Sequence, residues 1–190
     1  KASALTSGGL MLELTLSGPL LAEALGTLVG SKELNAWVQI SSSGQITIYS
    51  SVPEMGQGIK TALPMIIAEE MGAKWDDVKV LKSDVDSARF GLQGAGGSTS
   101  IPRNFDSMRT MGASAREMLI GAASEALEVD RAELEAKDSK VIHLSGESLS
   151  FGALAALAVR QPIPDPATLS FKDPKAYTII GTSIAGVDNL

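Results

Sequence analysis

The chain of 190 residues contains no cysteine. That excludes disulfides, thiolate zinc sites and iron–sulfur clusters held by its own residues. It has one histidine, His143, which argues against a multi-histidine metal site and an internal Ser-His-Asp triad. The residues around His143 read as a strand, where the ring serves structure. Aromatic residues are 4% of the chain, too few for a base-stacking platform. Positive charge is not in excess: the net charge is −6, which argues against nucleic acid as a partner. What remains is an ordinary globular balance, 44% apolar and 20% charged, in a length that suits one domain with a real core.

Two glycine-containing stretches organise this chain: Glu54-Met55-Gly56-Gln57-Gly58 and Gln93-Gly94-Ala95-Gly96-Gly97-Ser98-Thr99-Ser100. Each runs into a helical pattern. Glycine permits a tight turn and close backbone approach, and a helix start offers unpaired N–H groups. The pair reads as a grip on a phosphate-bearing ligand, or as two tight turns with no ligand.

Residues 1–30 stand apart as small and apolar, interrupted by Glu13, Pro19 and Glu23. They lack the roughly 20 clean apolar residues of a membrane span. They read as the middle of a secretory signal, or as an amphipathic helix docked on a partner or on the domain. A polar joint at Ser31–Asn35 leads into the domain proper, residues 31–190. Trp37–Ile40 and Ile46–Ser50 alternate around a turn at Ser42–Gln45, which predicts a β-hairpin.

Ile59, Ala62, Leu63, Ile66, Ile67 and Met71 have helical spacing. Pro64 conflicts with an interior position and places the regular helix start near Thr61. Glu69 and Glu70 are expected outside or at the helix edge, with Gly72 as the stop. A turn at Trp75–Asp77 and a short strand at Val78–Leu81 follow. Ser83–Ser87 is acidic but lacks the glycine and terminal glutamate of a calcium loop, so it is expected to be solvated. The longest helix is expected over Arg103–Leu127, capped by Ser100 or Asn104, with its methionines in the core.

A helical turn is expected near Arg131–Leu134, with strands at Leu134–Ala136 and Val141–Leu144. Ser150 is expected to cap a helix at Phe151–Val159. The prolines of 161–174 predict an extended crossing, Tyr177–Ile180 a last short strand, and Gly181–Leu190 a lead into something further. The expected fold class is α+β: mixed β-hairpins packed on one medium and one long helix.

Val52-Pro53-Glu54-Met55-Gly56-Gln57-Gly58-Ile59-Lys60-Thr61 resembles the E-M-G-Q-G-x-x-T motif in the molybdopterin-binding large subunit of the xanthine oxidase family of molybdenum hydroxylases. Ala68-Glu69-Glu70-Met71-Gly72, Trp75-Asp76-Asp77-Val78 and Asp84-Val85-Asp86 are similar to further segments of that family. Gly94–Ser100 resembles its second dinucleotide-contact loop. Asn35-Ala36-Trp37-Val38-Gln39-Ile40 and Phe171-Lys172-Asp173-Pro174…Ile180-Gly181 look like the branch of isoquinoline 1-oxidoreductase β subunits and membrane-bound aldehyde dehydrogenase large subunits. So does a leader resembling a twin-arginine signal, although the arginine pair itself is absent. The likeness covers about residues 30–188.

The resemblance implies a molybdopterin, in bacterial members often the cytosine dinucleotide, with molybdenum held by the pterin dithiolene and not by the protein. It implies cofactor contacts at Met55, Gly56, Gln57, Gly58, Gly96, Gly97, Ser98, Thr99 and Ser100. For Ser98–Ser100, plain helix capping is the other reading. The family's catalytic glutamate segment and its glycine-phenylalanine loop near the metal are not found, so no catalytic residue is assigned. The implied assembly hydroxylates an aldehyde or an N-heterocycle with water-derived oxygen. Its expected partners are the remainder of the molybdenum subunit, an iron–sulfur subunit carrying the clusters and a cytochrome c subunit. The leader implies a periplasmic location and membrane association through the complex. Two further readings stay open: an assembly subunit that keeps the fold without cofactor, and a nucleotide-binding domain. The latter is disfavoured because Gly91–Gly96 follows no convincing strand in the GxGxxG register.

Overall fold

The computed structural model describes residues 37–188. The segment 1–30, the joint at Ser31–Asn35, Asn35 and Ala36 of the resemblance and the final two residues lie outside the described residues. Two three-stranded sheets and four α-helices make up the described fold, the α+β class expected.

Strands β1 (Val38–Ile40) and β2 (Ile46–Ser50) pair antiparallel around the expected turn. Ile40, Ile46 and Ile48 alternate inward and are fully buried. β2 then continues through the first glycine turn into helix α1 (Ile59–Met71) and strand β3 (Val78–Lys82). β3 pairs with β2 in parallel, from Ile46 opposite Val78 to Ser50 opposite Lys82. A parallel pair needs a crossover, and α1 is that crossover. The periods of the two strands showed their existence but not this partnership. Both strands end at one edge of the sheet, and each glycine stretch leaves from that edge.

Helix α2 (Ser87–Phe90) is a single capped turn, and helix α3 (Ser100–Leu127) is the longest element. The Asp86 carboxylate accepts the Ala88 and Arg89 N–H groups, so part of the expected solvated loop is a helical cap. Phe90 sits edge-on to Trp37 with ring centroids 5.1 Å apart, which fixes this loop to the residue just before β1. α3 packs along α1. Met108, Met111 and Met118 of α3 are buried in the core, as their spacing predicts.

The second sheet runs β4 (Leu134–Lys137), β5 (Lys140–His143) and β6 (Ser148–Ser150), all antiparallel. Asp138 and Ser139 both have positive φ, 50° and 59°, the signature of a tight primed hairpin turn. The His143 ring bridges Glu133 Oε2 and Ser145 Oγ, each at 2.8 Å, a structural role. Ser150 Oγ accepts the Ala153 N–H and caps helix α4 (Phe151–Ala158).

Four expectations need correction. α1 begins at Ile59, not near Thr61, because Gly58 adopts a left-handed φ of 77° and starts the helix there. Pro64 is therefore interior and withholds one helical hydrogen bond. α3 begins at Ser100, not Arg103; Thr99 holds the cap position without a side-chain cap bond, and Asn104 Nδ2 donates to the Ser100 carbonyl. Tyr177–Ile180 forms no strand: Thr178, Ile179 and Ile180 turn their N–H groups onto Glu69. Glu69 and Glu70 are fully buried rather than outside or at the edge, because each finds partners on segments remote in sequence.

Candidate functional site

The glycine turns leave neighbouring strand ends and are tied together. Ser83 N–H donates to the Ser50 carbonyl, 3.0 Å, extending the parallel ladder past Lys82. Gln93 fastens the second stretch to this edge: its Nε2 donates to Ser83 Oγ at 3.0 Å and to the Asp84 carbonyl at 2.8 Å. It also reaches the Ser51 carbonyl, and its Oε1 accepts the Asp86 N–H. Lys82 Nζ donates to the Ser51 carbonyl at 2.9 Å and to that of Ser50. Burial first, then the positive charge of Lys60, pulls the Lys82 ammonium below the ordinary lysine range. Lys82 and Gln93 had no assigned role in the sequence. The visible signal was a lysine ending an alternating strand and a glutamine opening a glycine run.

The nine candidate residues fall into two unlike groups. In the first turn, Val52 and Ile59 are buried and bracket Met55–Gly58, which are exposed. Glu54 Oε1 accepts the N–H groups of Gly56 at 2.7 Å and Gly58 at 3.0 Å, and its Oε2 that of Lys60 at 2.8 Å. The Lys60 N–H bond leads in holding the Glu54 carboxyl below the ordinary glutamate value; desolvation opposes it, and the Gly58, Gly56 and Gln57 bonds add to it. Gln57 folds back on its own turn. Its Oε1 accepts the Met55 N–H at 2.5 Å and its Nε2 donates to the Pro53 carbonyl at 2.8 Å. The side-chain tips near this turn thus bond inward.

The second turn is different. Gly97 and Ser98 take successive left-handed φ values of 61° and 55°. Thr99 bonds back to the Gly96 carbonyl through both N–H and Oγ1, and Arg103 Nη2 donates to Thr99 Oγ1 at 2.8 Å. The N–H groups of Gly97, Ser98, Ser100 and Ile101 meet no acceptor among the described residues. They stand at the start of a 28-residue helix, where the backbone dipole favours negative charge. The second turn has open N–H groups that suit an anion; in the first, Glu54 takes those of Gly56, Gly58 and Lys60 and Gln57 takes that of Met55. Among the described residues no group of three or more His, Asp or Glu side chains forms a metal site.

A second constellation supports the site from behind. Glu70 Oε1 accepts from Arg109 Nε at 2.6 Å; its Oε2 accepts from Lys172 N–H at 3.0 Å and Arg116 Nη1 at 3.3 Å. Glu69 accepts the N–H groups of Thr178, Ile179 and Ile180 at 2.9, 2.6 and 3.1 Å, and Lys172 Nζ at 3.1 Å. The Ala68–Gly72 and Phe171–Gly181 segments, each singled out by resemblance, are therefore partners in space. Burial alone would raise the Glu69 carboxyl, but those N–H and ammonium bonds outweigh it and hold the value below ordinary glutamate. A depressed carboxyl contributes stability that is full above its unfolded value, about 4.5, and is lost as pH falls through the folded value. Urea midpoints are therefore expected to drop as pH is lowered below about 4.5, with a shallower drop in Glu69→Gln. Equal slopes would show that Glu69 contributes nothing to acid sensitivity.

Two glycine turns at the ends of a parallel strand pair, one with open N–H groups at a helix start, give the geometry of a candidate anion-binding site. The chain belongs to the molybdopterin cofactor-binding domain family, whose profile matches residues 15–188. It is 35% identical over 129 residues to the beta chain of isoquinoline 1-oxidoreductase from Brevundimonas diminuta, covering 64% of this chain and 16% of that protein. It is 30% identical over 174 residues to one of the subunits of nicotinate dehydrogenase from Pseudomonas putida, covering 90% of this chain and 14% of that one. Quinoline 2-oxidoreductase from Pseudomonas putida 86 shares the fold with a TM-score of 0.51 at 24% identity, over 70% of this chain and 17% of that structure. The chain thus spans about one sixth of the length of these proteins.

Proposed function

We propose that the chain forms one wall of the molybdopterin site of a molybdenum hydroxylase, which oxidises an aldehyde or an N-heterocycle with oxygen from water. The observation that carries this reading is the pair of glycine turns leaving one edge of a parallel strand pair, with open N–H groups at the start of α3. When bound, the cofactor supplies the redox-active molybdenum for the reaction. This chain's part is to hold it. Gly97, Ser98 and Ser100 would receive its anionic portion through N–H and hydroxyl groups, and Gly96 and Thr99 keep that turn in shape. Gln57, once released from its own backbone, has an amide that both donates and accepts. The relatives' names include nicotinate dehydrogenase, isoquinoline 1-oxidoreductase and a membrane-bound aldehyde dehydrogenase, so both substrate classes stay within the reading.

The rest of the molybdenum site comes from the remainder of the subunit. Met55, Val85 and Leu92 on the loops of this edge and Ile101 in the first turn of α3 are exposed apolar side chains, where such a remainder would pack. The cytosine dinucleotide form, electron exit through iron–sulfur clusters on a partner subunit to a cytochrome c, and a periplasmic site on the membrane complete the reading. A second reading, an assembly subunit without cofactor, is favoured by Glu54 filling the first turn.

The assembly carrying Gln57→Ala together with Gly97→Val decides between them. A β-branched residue cannot hold φ near 61° without strain. Loss of hydrogen bonds to a charged ligand, about 1.5–3 kcal/mol each, should lower molybdenum and pterin content roughly tenfold or more. Metal analysis and pterin fluorescence read the result. Unchanged content, or no molybdenum in an active wild-type assembly, overturns the first reading.

A further inference from the structure

The first glycine turn already contains an anion. The Glu54 carboxylate engages the N–H groups of Gly56, Gly58 and Lys60 within 3.0 Å. Those are the groups that an external phosphate would need at the start of α1. Gly56 and Gly58 take φ values of 98° and 77°, and a Cβ added at either would meet nothing within 4 Å. Space does not demand glycine there; backbone conformation does. The carboxylate is what holds that conformation, by bonding across it from one side, while Gln57 bonds Met55 and Pro53 from the other. In the second turn no described carboxylate bonds the amides, and the charged side chain that bonds it is Arg103, on Thr99. Two turns of similar composition therefore carry opposite electrostatics.

We propose that Glu54 is a positioning residue: a built-in anion that fills the N–H cradle of the first turn, keeps phosphate out of it and leaves the anionic part of the ligand to the second turn. The exclusion follows from the three bonds themselves. Its consequence for the cofactor rests on the function proposed above. The first turn then meets its ligand with a neutral amide, Gln57, on a pre-shaped backbone. Glu54 takes no part in proton transfer, because both its oxygens are committed to backbone N–H groups.

Amide NMR on the whole chain tests the exclusion without any cofactor. In the wild type, the Gly56, Gly58 and Lys60 amide signals should titrate together with Glu54, with a midpoint below that of an ordinary glutamate. Inorganic phosphate at neutral pH should leave them unmoved. In Glu54→Ala, phosphate or formate should shift all three saturably, as the small anion replaces the side chain. Glu54→Gln keeps one acceptor oxygen and loses the charge, so it should hold the turn with a weaker response to phosphate, and it covers the case in which Glu54→Ala fails to fold. Phosphate shifting the wild-type signals as strongly as those of both variants overturns the proposal. The consequence is read in the assembly: Glu54→Ala should lose cofactor roughly tenfold, as expected for losing several charge-assisted bonds, with partial recovery in formate. Unaltered cofactor content overturns the positioning role. Should the Gln57 and Gly97 double variant keep its cofactor while the NMR pattern appears as described, the functional reading falls and the exclusion stands.

Discussion

Glu70→Ala is expected to destabilise the fold by about 3–5 kcal/mol, the cost of breaking a buried ion pair by removing one partner. The Glu70 side chain is 1% exposed, against 18% for Arg109 and 11% for Arg116. Its removal strands two guanidinium groups and the Lys172 N–H. The two arginines are not free to turn to water. Arg109 lies over the Phe171 ring, 4.7 Å from its centroid, and donates to the Lys172 carbonyl. Arg116 donates to the Glu70 and Ser170 carbonyls. The loss should therefore release the 170–180 segment from α1 and α3 as well as lower the global urea midpoint. Hydrogen exchange at Lys172 and Ile179 should quicken more than that at Ile48 in the central strand. A shift below about 1 kcal/mol, the range of a surface ion pair, would show that the cluster is solvated and contributes little.

Gly112→Ala carries the second large effect, and its sign is the point of interest. Helix propensity alone favours alanine over an interior glycine by about 1 kcal/mol. The contact across the helix pair opposes it. A Cβ at Gly112 would lie 2.4 Å from the Ile67 carbonyl oxygen and 2.7 Å from Glu70 Cβ. The first of these is backbone and cannot swing aside, so α1 and α3 must separate. Overpacking of this kind costs about 1–3 kcal/mol, which exceeds the propensity gain. Equilibrium unfolding should give a net loss, larger in Gly112→Val. A stabilised Gly112→Ala would mean that the two helices do not meet this closely. Because α1 and α3 carry the two glycine turns at their starts, separating them should also disturb the site.

The two effects share a location. Gly112, Glu70, Arg109 and Arg116 lie on one face between α1 and α3, and the 170–180 segment is fastened over it. This face fixes the two helices whose first turns form the candidate site. The relation explains why 161–180, a segment whose only regular structure is two 3-10 turns at Pro166–Thr168 and Pro174–Ala176, belongs to the domain: its backbone N–H groups satisfy buried carboxylates, as buried polar groups require.

Much of the fold was legible locally. Alternation over Trp37–Ser50, helical spacing over Ile59–Met71 and Phe105–Ala126, Gly72 as a stop and Ser150 as a cap all act within a few residues, and the structure follows them. The candidate site was legible as two glycine stretches, and the resemblance of their motifs implied one cofactor. The difference between the turns was not. Glu54 stood in the motif, but no spacing rule says that its side chain curls forward onto Gly56, Gly58 and Lys60. The short helix starts were misplaced for a similar reason. Gly58 begins α1 by its left-handed backbone, against the preference of Pro64, and tertiary packing of Ile59 and Leu63 outweighs that preference.

By itself the sequence determined the α+β class, the first hairpin, the medium and long helices, the lack of any thiolate or multi-histidine donor set and the two glycine stretches. Only the tertiary structure decided that β3 lies parallel to β2, which brings both stretches to one edge, and that Glu69 and Glu70 are core residues. Patterns of period and turn chemistry are set by neighbours within a few positions, so they can be read along the chain. A carboxylate is buried or exposed according to whether donors meet it. Those of Glu69 and Glu70 stand about a hundred positions away at 172–180, and on α3.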